Sequence, residues 1–371
     1  MNRGQGHMNS RERVFRALKH QEPDRVPRDF WATAETYGKL CRRLNLPNAE
    51  AVLDHFDVDL RYLEGPRYIG PKLRVHPDGS ENDIWGVPRV KQIAGTGDTA
   101  QCYRSVTCFP LAGVTERRQL DDYEFWPSPD WFDYSPVYEE AKAVRERGRA
   151  VAFMGDRLNR FAQLKPAMYL RGIDQALVDM LVEPEIFQAI TDRLTAFYNE
   201  YMTRILESAR GMIDILVTGD DFGQQQALLC SVELWEQRLR PGFEGYIKIA
   251  HAAGVPVMHH TCGSIYRLLP KFVECGLDIL QSLQPGVAEM DFRRIKAEFG
   301  DRICFQGGIS IQRALPFGTP EDVRAEVRDR VEALAAGGGY IISTSHNIQA
   351  DTPVENVLAL IKAYGEFGRY R

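Results

Sequence analysis

Short apolar runs alternate with amphipathic helical patterns along most of this chain, and the alternation predicts its architecture. Eight stretches are typical of buried β-strands, because each is brief, mostly apolar and bounded by polar or glycine residues. The run DILVTG (214–219) is a representative example. The predicted strands cover residues 25–31, 59–64, 150–155, 214–219, 255–259, 278–283, 303–306 and 339–343.

Helical periodicity lies between most of these strands. In the stretch 321–336, Val323, Val327, Val331 and Leu334 are spaced to share one helix face. Parallel strands joined through helices form either an open sheet or a closed barrel. Eight strands favour the barrel, so we predict an elaborated (β/α)8 TIM barrel, with residues 1–371 forming a single α/β domain.

Two stretches depart from plain strand–helix repetition. Residues 66–110 are rich in glycine, proline and short β-like runs such as KLRVH and GVPRVKQIAG, which predicts a β-hairpin insertion near the barrel mouth. Residues 121–133 are aromatic and interrupted by proline, which is typical of a loop.

Composition excludes several classes of protein. The chain has 371 residues, of which 44% are hydrophobic and 26% charged, so it can bury a large core. Its net charge of −5 argues against nucleic-acid binding, and no segment has the roughly 20 apolar residues that span a bilayer. The N-terminal stretch has no apolar signal region and the seven cysteines are widely spaced without a CxxC pair, which predicts a cytoplasmic protein with reduced thiols.

Five of the predicted strands end in polar or glycine-rich sequence. In a TIM barrel the carboxyl ends of the strands meet at one mouth, where the chemistry takes place. These ends therefore predict one polar pocket. They are TGDDFGQQQ (218–226), HHTCGS (259–264), QSLQPG (281–286), FQGGIS (305–310) and STSHNIQ (343–349).

The second of these ends carries a candidate metal site. Side chains alternate along a strand, so His260 and Cys262 share one face while His259 and Thr261 share the other. Imidazole and thiolate are good zinc ligands. The same spacing is also compatible with an ordinary strand end, because a buried cysteine often packs simply as a small hydrophobic residue. We assign His259 to packing or structural hydrogen bonding.

A catalytic zinc needs about three protein ligands and one open position. His346, at the end of the last predicted strand, is the best third donor. Asp220 or Asp221, after the fourth strand, are alternatives.

Four longer motifs span most of the chain and are specific in combination. They are NSRERVFRALKHQEPDRVP (9–27), GDDFGQQQALLCSVELWEQRLRPGF (219–243), HHTCGSIYRLLPKFVECGLDILQSLQP (259–285) and GGGYIISTSHNIQADTPVENV (337–357). Together they resemble the uroporphyrinogen decarboxylase superfamily, which includes decarboxylases and methyltransferases that work with corrinoid proteins or coenzyme M. The resemblance implies an elaborated (β/α)8 barrel, in agreement with the strand pattern.

The resemblance is nearer to the methyltransferase branch. True decarboxylases carry an arginine-rich segment, Met-Arg-Gln-Ala-Gly-Arg, after the first strand, and it holds the carboxylates of the porphyrin. This chain has DFWATAETYGKL (29–40) there, without arginine. A substrate with eight carboxylates needs such arginine forks, so a porphyrin substrate is not expected. His260 and Cys262 resemble the first two zinc ligands of the methyltransferases.

The third ligand departs from that pattern. The zinc methyltransferases have a cysteine at the position of His346, whereas the decarboxylases have a histidine there that serves a substrate site. A His/Cys/His set is still chemically sound for zinc. With one thiolate fewer it is a stronger Lewis acid, which suits activation of a methoxy or thiol group.

The resemblance therefore implies a zinc-dependent methyltransferase that moves a methyl group between a small methyl ether or thiol and a separate corrinoid protein. Asp221 is then the catalytic candidate, and Gln284 and Asn347 are candidates for substrate binding. The alternative is a metal-free decarboxylase of a smaller carboxylated substrate. A non-enzymatic corrinoid or porphyrin binder is disfavoured, since it has no need of a His/Cys pair beside a carboxylate pair.

Overall fold

The computed structural model describes residues 8–155 and 161–370. Its centre is a curled parallel sheet of seven strands, and two small antiparallel sheets are inserted around it. The strands are β1 (Leu60–Leu63), β2 (Arg67–Tyr68), β3 (Glu81–Asn82), β4 (Pro88–Ala94), β5 (Gln101–Val106), β6 (Phe132–Asp133), β7 (Ala150–Phe153), β8 (Ile215–Gly219), β9 (Val257–His260), β10 (Ile279–Ser282), β11 (Cys304–Ile309) and β12 (Tyr340–Thr344). The parallel sheet has the order β1-β7-β8-β9-β10-β11-β12.

Helices connect and cover most of these strands. Among the described residues they are α1 (Ser10–Leu18), α2 (Ala34–Leu44), α3 (Ala49–His55), α4 (Pro136–Glu146), α5 (Leu164–Arg171), α6 (Ile173–Asp179), α7 (Pro184–Ala209), α8 (Val232–Arg238), α9 (Arg240–Ala252), α10 (Leu269–Glu274), α11 (Phe292–Phe299), α12 (Ala314–Phe317), α13 (Pro320–Leu334) and α14 (Val354–Phe367). In the described part of the chain, none of them combines the length and the apolar character that crossing a bilayer requires.

Helix α13 shows how local sequence sets these elements. Thr319 caps it, because its hydroxyl accepts from the Asp322 N–H while the Asp322 carboxylate accepts from the Thr319 N–H. Pro320 occupies the first turn, where its missing N–H costs nothing. The buried face includes Val323 and Val327, as the periodicity predicts.

The parallel strands carry an apolar layer followed by a polar layer. One buried cluster takes side chains from each of the seven strands, and Val14 of α1 joins it, so α1 covers that end of the sheet. Its strand members are Leu60, Ala150, Ala152, Ile215, Val217, Met258, Ile279, Cys304 and Ile341. Two residues further on, the same strand faces carry mostly polar groups, and these are Tyr62, His260, Gln281, Gln306 and Ser343. The polar layer thus lies towards the carboxyl ends of the strands.

Residues 25–31 occupy the place of the first barrel strand. The Ile342 N–H donates to the Pro27 carbonyl and the Asp29 N–H donates to the Ile342 carbonyl, both at 2.9 Å. On the other side, the Asp59 N–H donates to the Arg28 carbonyl at 2.9 Å. The segment therefore bridges β12 and β1. It contains isolated bridge residues and no regular strand, since Pro27 has no N–H to donate to a ladder.

A buried ion-pair network fixes this segment at the N-terminal end of the strands. The Asp59 carboxylate is fully buried and accepts from Arg13 at 2.6 Å and from Arg25 at 2.7 Å. It also accepts from the Arg28 backbone N–H at 2.7 Å. The Asp59 carboxylate therefore links α1, residues 25–31 and the start of β1. We refer to Asp59, Arg13 and Arg25 as the Asp59 network.

The predicted insertion forms a three-stranded antiparallel sheet of β3, β4 and β5, within residues 66–110. We call it the insertion sheet. It is attached to the loop that follows β12, since the Tyr103 hydroxyl donates to Gln349 at 2.6 Å and the Ala350 N–H donates to Gln101 at 3.1 Å. The insertion sheet therefore lies at the barrel mouth.

Candidate metal centre and active site

His260 is the last residue of β9, and the neighbouring strand β10 holds its ring. The two strands pair in register, which places Gln281 directly opposite His260. His260 Nδ1 lies 2.9 Å from Gln281 Oε1, and an amide oxygen can only accept. With the amide in this orientation Nδ1 donates to Gln281, which directs Nε2 towards Cys262.

Cys262 and His346 both lie close to the His260 ring. The distance from Cys262 Sγ to His260 Nε2 is 3.5 Å. His260, Cys262 and His346 each offer one donor atom, and these three atoms all lie within 4.8 Å of one another. The structure thus brings together the predicted ligand set from two strand ends, although β10 and β11 separate β9 from β12. We refer to these three residues as the donor set.

The distances suit a zinc-sized ion. Tetrahedral bonds of about 2.0–2.1 Å to nitrogen and about 2.3 Å to sulfur imply a nitrogen-to-sulfur separation of about 3.6 Å. The observed separation between His260 Nε2 and Cys262 Sγ is 3.5 Å. All three donor atoms lie within 4.8 Å of one another, which is compatible with one shared ion.

Burial keeps the Cys262 thiol protonated. It raises the pKa of Cys262 to about 12, and the nearby negative charge of Asp221 acts in the same direction. A neutral thiol is a poor nucleophile, so Cys262 is unsuited to act alone. Coordination to a metal deprotonates a thiol, and that is the chemistry which its position beside two imidazoles supports.

The two adjacent aspartates have different surroundings. Asp220 is buried and accepts from the backbone N–H groups of Gln163, Leu164 and Lys165 at 2.6–2.7 Å. Burial raises the pKa of Asp220 to about 6, against the effect of those donors. Asp220 thus holds the start of α5. That leaves its neighbour Asp221 as the carboxylate nearer to the donor set.

Asp221 lies at the edge of the donor set. Its Oδ1 accepts from the Cys262 N–H at 3.0 Å and lies 4.0 Å from His260 Nε2, while Oδ2 accepts from the Lys165 ammonium at 2.6 Å. Burial opposes ionisation, but the nearby positive charges, led by Lys165, and the hydrogen bonds from Lys165 and the Cys262 N–H together outweigh it, so the pKa of Asp221 lies well below its usual range. Asp221 is therefore an anion that positions both Cys262 and Lys165.

The two predicted substrate-binding residues have different positions. Asn347 lines the cavity above the donor set. Gln284 accepts from the Gly263 N–H at 2.9 Å and donates to Gln312 at 3.1 Å, so its amide supports the turn after Cys262. That turn is tight: a side chain at Gly263 would contact the Gly223 backbone, and its φ is +88°. His259 lies on the opposite face, stacked on Phe222, as predicted.

A cavity of about 520 Å³ opens above the donor set. Three of the five predicted polar strand ends reach it, through Gly219, His260 and the pair His346 and Asn347. The other two strand ends supply amides below it: Gln281 contacts His260, and Gln306 donates to the buried Asp29 carboxylate at 2.6 Å. The predicted polar pocket therefore consists of residues that line the cavity and of buried amides that support them.

Sequence reasoning missed several cavity residues. Lys165 lies in the first turn of α5, where a cation opposes the helix dipole, and this unfavourable placement is a signal that the sequence contains. Trp31 is the last residue of the first predicted strand and stacks near His260, with ring centroids 6.1 Å apart. Arg104 and Tyr103 come from β5 of the insertion that was predicted near the mouth, but no pattern in the sequence indicates that these two side chains line the cavity.

Comparisons with known proteins agree with this fold. The family model described as uroporphyrinogen decarboxylase (URO-D) matches residues 115–367. A solved methyltransferase from Methanosarcina mazei has a TM-score of 0.66 and 19% identity, covering 97% of this chain and 99% of its own. This similarity shows a shared fold.

Curated relatives come from both branches. The uroporphyrinogen decarboxylase of Ralstonia nicotianae is 28% identical over 188 residues, which is 46% of this chain and 49% of the relative. The methylated-thiol–coenzyme M methyltransferase of Methanosarcina mazei is 25% identical over 200 residues, 54% of this chain and 50% of the relative. A decarboxylase of Coxiella burnetii matches over 21% of its length. The chain thus spans about a fifth to a half of these relatives, and because the family model covers residues 115–367, it belongs to the uroporphyrinogen decarboxylase family.

Proposed function

We propose that this protein is a zinc-dependent methyltransferase, which moves a methyl group between a small methyl ether or thiol and a corrinoid bound to a separate protein. The observation that carries the proposal is the donor set, whose chosen donor atoms lie within 4.8 Å of one another below a cavity. Family membership and the similarity to a methylated-thiol–coenzyme M methyltransferase support it.

The residues present suit the metal and the reaction. Zinc bound by His260, Cys262 and His346 would polarise an ether oxygen or lower the pKa of a thiol. In the demethylating direction the O–CH3 or S–CH3 bond breaks, and the heteroatom keeps the electron pair. The corrinoid of the partner protein would be the methyl acceptor, and its reduced cobalt(I) would supply the electron pair for the new bond.

Neighbouring side chains would prepare the site for that transfer. Gln281 holds the His260 ring in one tautomer. We propose Asp221 as the catalytic carboxylate that, with Lys165, orients the substrate heteroatom. Asn347 would contact the substrate from the cavity wall, and Gln284 would act through the turn that follows Cys262. All seven cysteines are free, and we propose a reducing, cytoplasmic location.

A metal-free decarboxylase of a smaller carboxylated substrate is the second candidate. Several curated relatives carry the name uroporphyrinogen decarboxylase, and the cavity contains Arg89, Arg104 and Lys165, which are carboxylate-binding residues. Two of these cations are already paired, Arg89 with Asp83 at 2.8 Å and Lys165 with Asp221 at 2.6 Å. The described lining is therefore poorly suited to a substrate with eight carboxylates.

Metal removal separates the two candidates. Zinc-loaded protein is expected to transfer methyl groups from methyl ethers or thioethers to cob(I)alamin, which is followed by the change in cobalamin absorbance. Chelation should abolish the transfer and zinc should restore it, because the proposed activation requires a Lewis acid. Transfer that is unaffected by chelation would refute the zinc role. Formation of coproporphyrinogen from uroporphyrinogen is not expected with or without zinc, and observing it would contradict both the methyltransferase proposal and the exclusion of a porphyrin substrate.

Replacing His346 with cysteine tests the third ligand. If His346 coordinates zinc, H346C creates a His/Cys/Cys set, and zinc affinity should rise severalfold or more because thiolates are softer ligands. Competition with a chromogenic chelator measures the change. H251C is the matched control, since His251 bonds Asp278 away from the donor set and its replacement should leave zinc affinity unchanged. Equal affinity in H346C and wild type would place His346 outside the metal site.

A further inference from the structure

The cavity above the donor set has aromatic walls. Trp31, Trp85, Tyr169 and Tyr198 line it, and β5 adds Tyr103. The Trp31 ring lies beside that of His260 at an angle of 25°. A substrate that reaches the donor set therefore lies close to an indole ring. Such surfaces bind flat, apolar ligand bodies by stacking.

The same cavity has a surplus of positive charge. Among its described lining residues, the cations are Arg89, Arg104 and Lys165, and Asp83 is the carboxylate. Arg89 is buried against Asp83 and also lies over the Tyr169 ring at 4.6 Å, so its charge is compensated. Lys165 is compensated by Asp221.

Arg104 is the exception. Arg104 pairs with Glu81 at 3.5 Å, and both side chains are about half exposed. An ion pair of this geometry contributes little, so the guanidinium is available to a ligand. Among the cations of the described lining, Arg104 is the one that can bind an incoming anion without the loss of a buried ion pair.

Arg104 and the donor set belong to different walls of the cavity. The donor set comes from the strand ends, whereas Arg104 is on β5 of the insertion sheet. The sheet is held in place by the bond from Tyr103 to Gln349, three residues after His346. A ligand that contacts both walls needs a reactive group at one end and an anionic group at the other.

Resting on the proposed function, we infer that the substrate is an aromatic methyl ether or thioether that carries an acidic group away from the methylated heteroatom, and that Arg104 recognises this group. The aromatic body lies against Trp31 while the heteroatom reaches the donor set. A small aliphatic thiol would leave the aromatic walls and Arg104 without contacts. The insertion sheet thus determines specificity, in place of the arginines that are missing from residues 29–40.

Binding to the zinc-loaded protein tests this inference without any corrinoid. The probes are 4-methoxybenzoate, its neutral counterpart 4-methoxybenzyl alcohol and the aliphatic anion methoxyacetate, with affinities from calorimetry. The benzoate is expected to bind about tenfold more tightly than either of the others, because both the ring and the charge contribute. The R104Q substitution should weaken the affinity for the benzoate about tenfold and leave the affinity for the alcohol unchanged.

R118Q is the control variant, since Arg118 is exposed, pairs with Glu116 and is not part of the described cavity lining. Equal affinity for the three probes, no binding of the benzoate, or the same selectivity in R104Q would overturn the inference. Methyl transfer from the bound benzoate is then measured separately. Selective binding of the benzoate without methyl transfer would support the inferred ligand class and overturn the proposed function. Methyl transfer from simple thioethers without aromatic selectivity would support the proposed function and overturn the inferred ligand class.

Discussion

Zinc content is expected to fall from about one ion per chain to nearly none when Cys262 is replaced by alanine. A catalytic zinc held by about three protein ligands cannot lose its single thiolate without a large loss of affinity. Methyl transfer should fall on the order of a thousandfold, because Lewis-acid polarisation contributes several kcal/mol to the transition state. Elemental analysis and the cobalamin absorbance assay measure the two effects.

The fold of the C262A variant should be preserved. The thiol is neutral, and its sulfur contacts His260 at 3.5 Å and Ser282 at 3.7 Å. The Cys262 N–H, which donates to Asp221, remains in the alanine variant. C275A is the matched control, because Cys275 is a half-buried thiol beside Glu244, outside the donor set. A C262A protein that keeps a full complement of zinc would exclude Cys262 as a ligand.

Most of the barrel could be predicted because buried parallel strands are short apolar runs in this sequence. Seven of the eight predicted strands form, with bounds within about two residues for most of them. The strand β11 extends to Ile309, beyond the predicted end at Gln306, because the glycines that follow can continue the ladder. Residues 25–31 lie where a first strand should, but Pro27 prevents a regular ladder. The sequence pattern thus predicts which segments form strands more reliably than it predicts the residue at which each strand ends.

The candidate site was less accessible to sequence reasoning than the barrel. Alternation alone places His260 and Cys262 on one face and His259 on the other, and the structure has this arrangement. The distance between Cys262 and His346 depends on how the loop after β12 folds back, which no local pattern encodes. The pairing of the two-residue strands β2 and β6 could not be predicted for the same reason, since more than sixty residues separate them along the chain. Long-range contacts, including the place of the Arg104 side chain in the cavity lining, require the structure.

A second large effect is expected at the opposite end of the barrel, in the Asp59 network. The Asp59 side chain has no exposed surface, and it accepts from Arg13 and Arg25, whose side chains are 4% and 10% exposed. Replacing Asp59 with asparagine removes the charge but preserves the shape. Two buried guanidinium groups then lose their shared counter-charge, and the new amide N–H group faces other donors. The free energy of unfolding should fall by about 3–5 kcal/mol, as when one partner of a buried ion pair is removed.

The matched control uses the same arginine. Asp57 also pairs with Arg25, at 2.6 Å, but its side chain is 53% exposed. Because water solvates the remaining charge, D57N should cost about 0–1 kcal/mol. Urea unfolding followed by tryptophan fluorescence and circular dichroism compares the two variants. Zinc content of folded D59N should match wild type, since Asp59 precedes β1 and lies at the end of the strands remote from the donor set. Equal destabilisation by D59N and D57N would show that burial does not set the strength of this network.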